Sequence, residues 1–124
     1  MIRVITGKAK GKKLVSPKDI TRPLTDRIKT SIFDLIRDFV SDARVLDLYA
    51  GSGSFGIEAL SRGAQSAVFV DLATEAMECI EENLINSNFL ESAHVIQEKV
   101  NDFIAKTPER FDIIFLDPPF PDTS

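Results

Sequence analysis

The sequence predicts an α/β fold, a parallel sheet with helices on both faces, preceded by a small β-hairpin arm. Three observations predict it. From Arg44 onward, short apolar runs rich in Val, Ile, Leu and Phe alternate with stretches of helical periodicity, the pattern of parallel strands joined by covering helices. The first of these runs is followed at once by a glycine-rich turn that opens a helix, a junction that recurs in doubly wound sheets. The chain has 124 residues, 44% hydrophobic and 27% charged. That is one globular domain by length, with apolar content for a core but small for a full sheet with its covering helices.

In order, Ile2 to Leu14 alternates enough to predict a hairpin, with Gly7 and Gly11 at its turning points and Lys8, Lys10, Lys12 and Lys13 projecting around them. Ser16-Pro17 closes this arm, and the one candidate boundary lies near Pro17 to Pro23, dividing an arm (residues 1–23) from a main domain (residues 24–124). Thr25 is an N-cap candidate. Ile28, Ile32, Leu35, Ile36, Phe39 and Val40 follow with helical spacing, so a helix to about Phe39 is expected to lay one face on the core. A strand over 44–49 comes next. The turn from Ala50 to Gly56 leads into a short helix that Gly63 stops, and 67–70 is the second strand of the sheet. Ala76, Met77, Ile80 and Leu84 mark another helix, 93–97 a third strand, 101–106 a short helix and 111–116 a fourth strand. Internal repeats and low-complexity tracts are absent from the sequence.

The net charge of −4 conceals a division. Residues 1–29 hold nine Lys and Arg against Asp19 and Asp26, a net of +7, whereas the other 95 residues hold six basic and 17 acidic side chains, a net of −11. A basic arm on an acidic body is the electrostatic footprint of a protein that meets a polyanion, nucleic acid foremost. A solvated Lys-rich hairpin is the plainer alternative. No apolar run approaches the roughly 20 residues that span a bilayer, and the first residues lack the long apolar core of a signal peptide. The lone Cys79 falls on a predicted helix with no thiol to pair with. A reducing, cytoplasmic setting is expected, with Cys79 a buried small hydrophobe. His94, the one histidine, sits on a strand without metal-ligand partners, so no metal site is assigned.

Gly51-Ser-Gly-Ser-Phe-Gly56 fits G-x-G-x-x-G directly after a strand, with Asp71 20 residues past Gly51 at the end of the next strand. Glycines there let backbone approach a ligand closely, and a carboxylate at the second strand's end can accept both hydroxyls of a ribose, which points to a nucleoside-containing cofactor. A nicotinamide dinucleotide satisfies the same pattern, with its pyrophosphate on the helix N-terminus. Asp47, four residues before Gly51, would repel a pyrophosphate and suit the ammonium and sulfonium charges of S-adenosylmethionine. Alternatively it only bonds loop amides. Asp117-Pro-Pro-Phe120 follows the fourth apolar run. The two prolines fix the backbone and remove two N–H donors, leaving acceptors beside an aromatic face. That arrangement can hold the exocyclic amine of a nucleobase and localise its lone pair for attack. An ordinary proline turn is the other reading.

Together, Asp47-Leu-Tyr-Ala-Gly-Ser-Gly53, Asp71 and Asp117-Pro-Pro-Phe120 resemble the class I, Rossmann-like S-adenosylmethionine-dependent methyltransferases that act on amino groups. Adding Gly7, Gly11-Lys-Lys-Leu14, Arg22-Pro-Leu-Thr-Asp-Arg27, Phe33 and Glu58-Ala-Leu-Ser-Arg62, nearly the whole chain resembles the bacterial RsmD family, which methylates the N2 amine of a guanine in small-subunit (16S) ribosomal RNA. The resemblance implies that Asp47, Tyr49, Gly51 and Gly53 surround the cofactor, Asp71 holds its ribose and the Val100 N–H serves its adenine. It implies further that Asp117 and the Pro118 carbonyl accept from the guanine amine while Phe120 stacks on a flipped-out base. Lys8, Lys10, Lys12, Lys13, Arg22 and Arg27 are the candidate RNA contacts; for the two arginines the alternatives are the cofactor carboxylate, or ion pairs with Asp19 or Asp26. The implied partner is ribosomal RNA or a small-subunit assembly particle.

Three positions depart from the family pattern. Thr30 stands where an acidic residue is usual, and Lys99 where an Asp or Asn accepts from the adenine amine. Past Asp117-Pro-Pro-Phe120 the family continues into further strands and helices, whereas here Pro121-Asp-Thr-Ser124 follow. The family's strand order makes the fourth strand central, so the later strands are expected to be missing here and 111–116 to form an open apolar edge prone to self-association. Two other functions fit the same residues: a DNA adenine-N6 methyltransferase, and a non-catalytic module that binds nucleic acid or cofactor.

Overall fold

The computed structural model describes residues 2–17 and 25–118. A two-stranded antiparallel ribbon, β1 (Ile2–Arg3) and β2 (Lys13–Leu14), pairs Ile2 with Leu14 and Arg3 with Lys13. Helix α1 (Asp26–Leu35) and a 3-10 turn (Arg37–Phe39) lead to β3 (Arg44–Leu48). Then come α2 (Ser54–Ser61), β4 (Ser66–Asp71), α3 (Thr74–Ser87), β5 (Ala93–Gln97), α4 (Val100–Lys106) and β6 (Ile113–Leu116). The four later strands form a parallel sheet in the order β5-β4-β3-β6. The α/β class, the parallel sheet and the hairpin arm are therefore as the sequence indicates.

Side-chain alternation along β3 shows why both sheet faces are apolar. Val45 points into a cluster with Ala67, Phe69 and Phe115, covered by Phe33 of α1, Ile57 and Leu60 of α2, and Ile80 and Leu84 of α3. Leu46 and Leu48 point the other way, into a smaller cluster with Val68, Val70 and the α4 residues Val100 and Phe103. Strands buried on both faces read as continuous apolar runs, and the central strands β3 and β4 do so, while the edge strands β5 and β6 are covered only in part. Val4, Ala9 and Leu14 of the arm belong to the larger cluster.

Helix α1 starts where expected, the Thr25 hydroxyl accepting from the Ile28 N–H at 3.1 Å, but its inward face differs. Its fully buried residues are Lys29 and Phe33, while Leu35 is 83% and Phe39 70% exposed. The reason lies in a long-range pairing. Lys29 Nζ lies 3.4 Å from the buried Glu58 carboxylate and donates to Ser54 Oγ at 2.8 Å, which turns the Lys29–Phe33 side of the helix inward and the neighbouring apolar stripe partly outward. Cys79 is half-buried on α3 rather than buried, and burial with the acidic neighbours Glu75, Glu82 and Glu78 pushes its thiol pKa up. Among the described residues β6 is an edge strand, with Ile114 and Leu116 exposed. No helix among them is long and apolar enough to cross a membrane.

Candidate functional site

The chain moves from β3 to β4 to β5 in one direction, then α4 carries it back past both to pair β6 with the opposite side of β3. In open parallel sheets the crevice at such a reversal, at the carboxyl ends of the strands, is where ligands bind. Register fixes what lines it. Leu48 pairs with Val70 and with Leu116, so the next residues of the three strands, Tyr49, Asp71 and Asp117, are neighbours along one rim.

The loop after β3 is tightly specified. Tyr49 has φ 57°, and Gly51 and Gly53 have φ 60° and 79°; for a non-glycine such backbone stores on the order of 1–3 kcal/mol of strain. The Ala50 N–H donates to Val70 O at 3.1 Å and the Gly53 N–H to Ala50 O at 2.8 Å. Gly56 is required for a different reason: a Cβ there would lie 2.3 Å from the Phe69 ring, which sits under the first turn of α2.

Three carboxylates converge on this loop. Asp47 is buried, and its Oδ2 accepts from the Gly56 N–H at 3.0 Å. Burial pushes its pKa up to about 8; the Gly56 hydrogen bond opposes the shift, and the charges of Asp117 and Asp71 add to it. Asp71 accepts from the Gly51 N–H through Oδ2 and the Ala73 N–H through Oδ1, both at 3.0 Å, tying the glycine loop to the turn entering α3. Both Asp47 and Asp71 thus bond loop or helix amides, and each oxygen keeps lone-pair capacity beyond those bonds. Gln97 braces the same turn, donating to Leu72 O at 3.0 Å and Thr74 Oγ1 at 2.9 Å.

On the far side, Phe115 is sandwiched between Phe55, stacked at 5.1 Å, and Phe33, tilted at 5.5 Å. Arg62 lies 4.7 Å above the Phe33 ring. This aromatic column anchors the strand two residues before Asp117, which is exposed, and Pro118, which is half-buried. Phe120 and Arg22 lie outside the described residues. Val100 opens α4 and Lys99, just before it, is exposed; the Val100 N–H belongs to the first helical turn, ahead of the intrahelical ladder. His94 is exposed on the edge strand β5, and among the described residues no group of three or more His, Cys, Asp or Glu is placed to hold a metal ion.

Lys8, Lys10, Lys12 and Lys13 are all exposed, and Arg27 is exposed on α1, while Asp26 pairs with Arg3 at 2.8 Å. The lysine turn is not brought to the crevice rim. The Lys8 N–H donates to Ser61 O at 2.8 Å and the Ala9 N–H to Ser61 Oγ at 2.9 Å, at the end of α2 opposite the glycine loop. Along the helix that is roughly 10 Å away, at 1.5 Å per residue. The ribbon then runs back along α2, so that Val15 reaches Asn83 beside the glycine loop.

Sequence reasoning assigned no role to the polar side chains beneath this arrangement, although Glu58 and Arg62 stand in a motif that carries the family resemblance. Glu58, fully buried, accepts from the Ile5 and Thr6 N–H groups at 2.8 and 3.1 Å and from Arg62 Nε at 2.8 Å, and faces Lys29. Burial pulls the Lys29 ammonium pKa down, with Glu58 the main opposing influence. Asn83 joins the arm to the glycine loop. One signal was present: Ala76, Ile80, Asn83, Leu84 and Ser87 form the buried stripe of α3, so Asn83 is a polar residue at core spacing.

Comparison with known proteins agrees with this geometry. The family model described as "Conserved hypothetical protein 95" matches residues 2–124. The "Ribosomal RNA small subunit methyltransferase D" of Haemophilus influenzae is 38% identical over 124 residues, covering 96% of this chain and 64% of that protein. A solved structure of a hypothetical protein from Thermus superposes with a TM-score of 0.86 at 34% identity, over 96% of this chain and 70% of the other. The C-terminal domain of precorrin-6Y C5,15-methyltransferase from Rhodobacter capsulatus shares the fold, with a TM-score of 0.71 at 15% identity over 87% of this chain and 56% of that one. The chain spans roughly three fifths to two thirds of the length of the first curated relatives it matches. A parallel sheet reversing at β3, a glycine loop with acidic strand ends and a family match over residues 2–124 place the chain in the RsmD family, with the Rossmann-like fold of class I methyltransferases.

Proposed function

We propose that this chain provides the cofactor seat and target-amine clamp of a cytoplasmic methyltransferase that uses S-adenosylmethionine to methylate N2 of a guanine in small-subunit (16S) ribosomal RNA. The observation that carries the reading is the convergence of Asp47, Asp71 and Asp117 at the strand reversal, close enough for two of the charges to act on the third. Such a site favours a cationic ligand and opposes a pyrophosphate. The residues fit S-adenosylmethionine: the glycine loop gives close backbone approach, Asp47 and Asp71 offer carboxylates to a cation and a ribose, and the Val100 N–H, in the first turn of α4, would serve the adenine ring. Tyr49 stands beside Asp71 and Asp117 on the same rim. When bound, the cofactor supplies an electrophilic methyl group on a sulfonium.

The chain's own residues supply position rather than covalent chemistry. Asp117 and the Pro118 carbonyl accept from the guanine amine, orienting its lone pair, and Phe120 stacks on the base. Holding the amine in a near-attack position is itself worth several kcal/mol of barrier. Lys8, Lys10, Lys12, Lys13, Arg22 and Arg27 neutralise RNA phosphates; the offset of the lysine turn from the rim suits an RNA segment long enough to reach from the arm to the rim. The names of the curated relatives support a ribosomal RNA substrate.

The test is to incubate the chain, and any longer form of the protein that contains it, with labelled S-adenosylmethionine and 16S ribosomal RNA, then identify the modified nucleoside. Label in N2-methylguanosine is expected, and Asp117→Ala is expected to lower turnover at least 100-fold while cofactor and RNA affinity stay within about threefold. Label in N6-methyladenosine would sink the guanine assignment. An Asp117→Ala protein as active as the parent would remove the clamp.

A further inference from the structure

Two buried side chains bridge the arm and the glycine loop. Asn83, fully buried, accepts from the Val15 N–H at 2.8 Å and donates from Nδ2 to Val15 O at 2.9 Å and Ser52 O at 2.8 Å. Its amide therefore pairs with Val15 as a neighbouring strand would, and spends its remaining N–H on the loop. Lys29, 1% exposed, donates to Arg3 O and to Ser54 Oγ at 2.8 Å. Each bridge ends on an arm carbonyl on one side and on a residue flanking Gly53 on the other. Ser52 and Ser54 are themselves linked, the Ser54 N–H donating to Ser52 Oγ at 3.3 Å.

The orientation of the Ser52 carbonyl matters because it fixes the peptide plane shared with the Gly53 N–H, in a loop whose backbone is already held in the left-handed region at three positions. A buried amide or ammonium whose partner moves is left unsatisfied, at a penalty larger than the bond's net worth. Arm and loop therefore move together or not at all.

We propose that Asn83 and Lys29 are positioning residues that couple the polyanion-binding arm to the cofactor loop, so that RNA bound on the arm tightens cofactor binding and the cofactor tightens RNA binding by the same factor. This rests on the function proposed above. A ligand that orders one end of each bridge has already ordered part of the other end, which gives positive coupling without a new contact. By linkage the two factors are equal, and typical couplings run from about 5- to 150-fold.

The experiment measures the affinity for S-adenosylhomocysteine by calorimetry without and with saturating 16S ribosomal RNA, and RNA affinity without and with S-adenosylhomocysteine. The expected result for the parent protein is a tightening of about fivefold or more, equal in both directions. In Asn83→Leu and Lys29→Met the ratio is expected to fall to within a factor of two of unity, beyond any lowering of melting temperature. A purely structural role would lower stability and leave the ratio intact, which would overturn the proposal. Ser54→Ala, which removes the loop end of the Lys29 bridge, and Val15→Pro, which removes the N–H bonded to Asn83 Oδ1, serve if the larger changes do not fold: both are expected to reduce the ratio, and an unchanged ratio in both would equally overturn it. Parent protein that binds both ligands with no coupling refutes this inference alone. Parent protein that binds neither refutes the proposed function.

Discussion

Asp47 is a carboxylate buried against the N-terminal turn of α2, and its position has a consequence for pH. Its folded pKa is raised from 3.8 to about 8, burial being the largest cause. The native protein thus binds a proton that the unfolded chain releases between about pH 4 and 8, so this group's contribution is fully present below pH 4 and is lost as pH rises towards 8. Denaturant midpoints measured from pH 5 to 8.5 are expected to fall with pH in the parent and to be flatter in Asp47→Asn. A cationic ligand favours the ionised form, so affinity for S-adenosylmethionine should rise with pH up to about 8 in the parent and lose that slope in Asp47→Asn. Glu58 is the other residue on which much depends. Glu58→Ala strands two arm N–H groups and leaves Lys29 buried without its counter-charge, a change expected to cost about 3–5 kcal/mol in a urea titration. The two carboxylates differ in how visible they are in the sequence. Asp47 stands next to a glycine motif that announces it, whereas Glu58 sits mid-helix among apolar residues and acquires meaning from residues 5, 6 and 29, which no local pattern connects to it.

At the scale of elements, the arm shows how little of a docking contact is written in periodicity. Gly7 and Gly11 read alike in the sequence, both hairpin turning points, and both have positive φ, 95° and 87°. Their surroundings separate them. A Cβ on Gly7 would fall 1.9 Å from Ser61 O, while one on Gly11 would meet nothing within 4 Å. Gly11→Ala is therefore expected to cost about 1–2 kcal/mol of backbone strain, and Gly7→Ala distinctly more, because the ribbon must lift off α2. Comparing the two melting curves checks this. The sheet elements were easier to read: runs over 67–70 and 93–97 became β4 and β5 with at most one residue added at either end, because short strand-forming runs between helical stretches need no partner-specific signal. Helix α1 was harder. Its periodicity was real, but a buried Lys29 bonded to distant residues turned the helix, leaving Leu35 and Phe39 in water.

For the whole molecule, the parallel alternation of strands and helices was legible from the sequence, whereas the reversal at β3 that places the crevice is read from the strand order. Side-chain polarity beneath the arm was not, since it depends on contacts between residues more than 50 apart. The open side of β6 has a practical effect. Among the described residues it presents an unpaired strand edge with Ile114 56% and Leu116 62% exposed, a template for another strand, so self-association through this edge is expected to grow with concentration. Ile114→Lys should shift the chain's sedimentation towards monomer, and no change would argue against that edge. The same strand also bears on how the molecule comes together in time. Val45 pairs with Ile113 across 68 residues, whereas β3 and β4 pair across 22; contacts of long sequence separation close late in folding. The glycine loop and Asp71 are built from the early pairing, and Asp117 arrives with the late one. A chain emerging from synthesis would form the glycine-loop side of its crevice before the side that carries Asp117, and pulsed hydrogen exchange should find the β6 amides protected after those of β3 and β4.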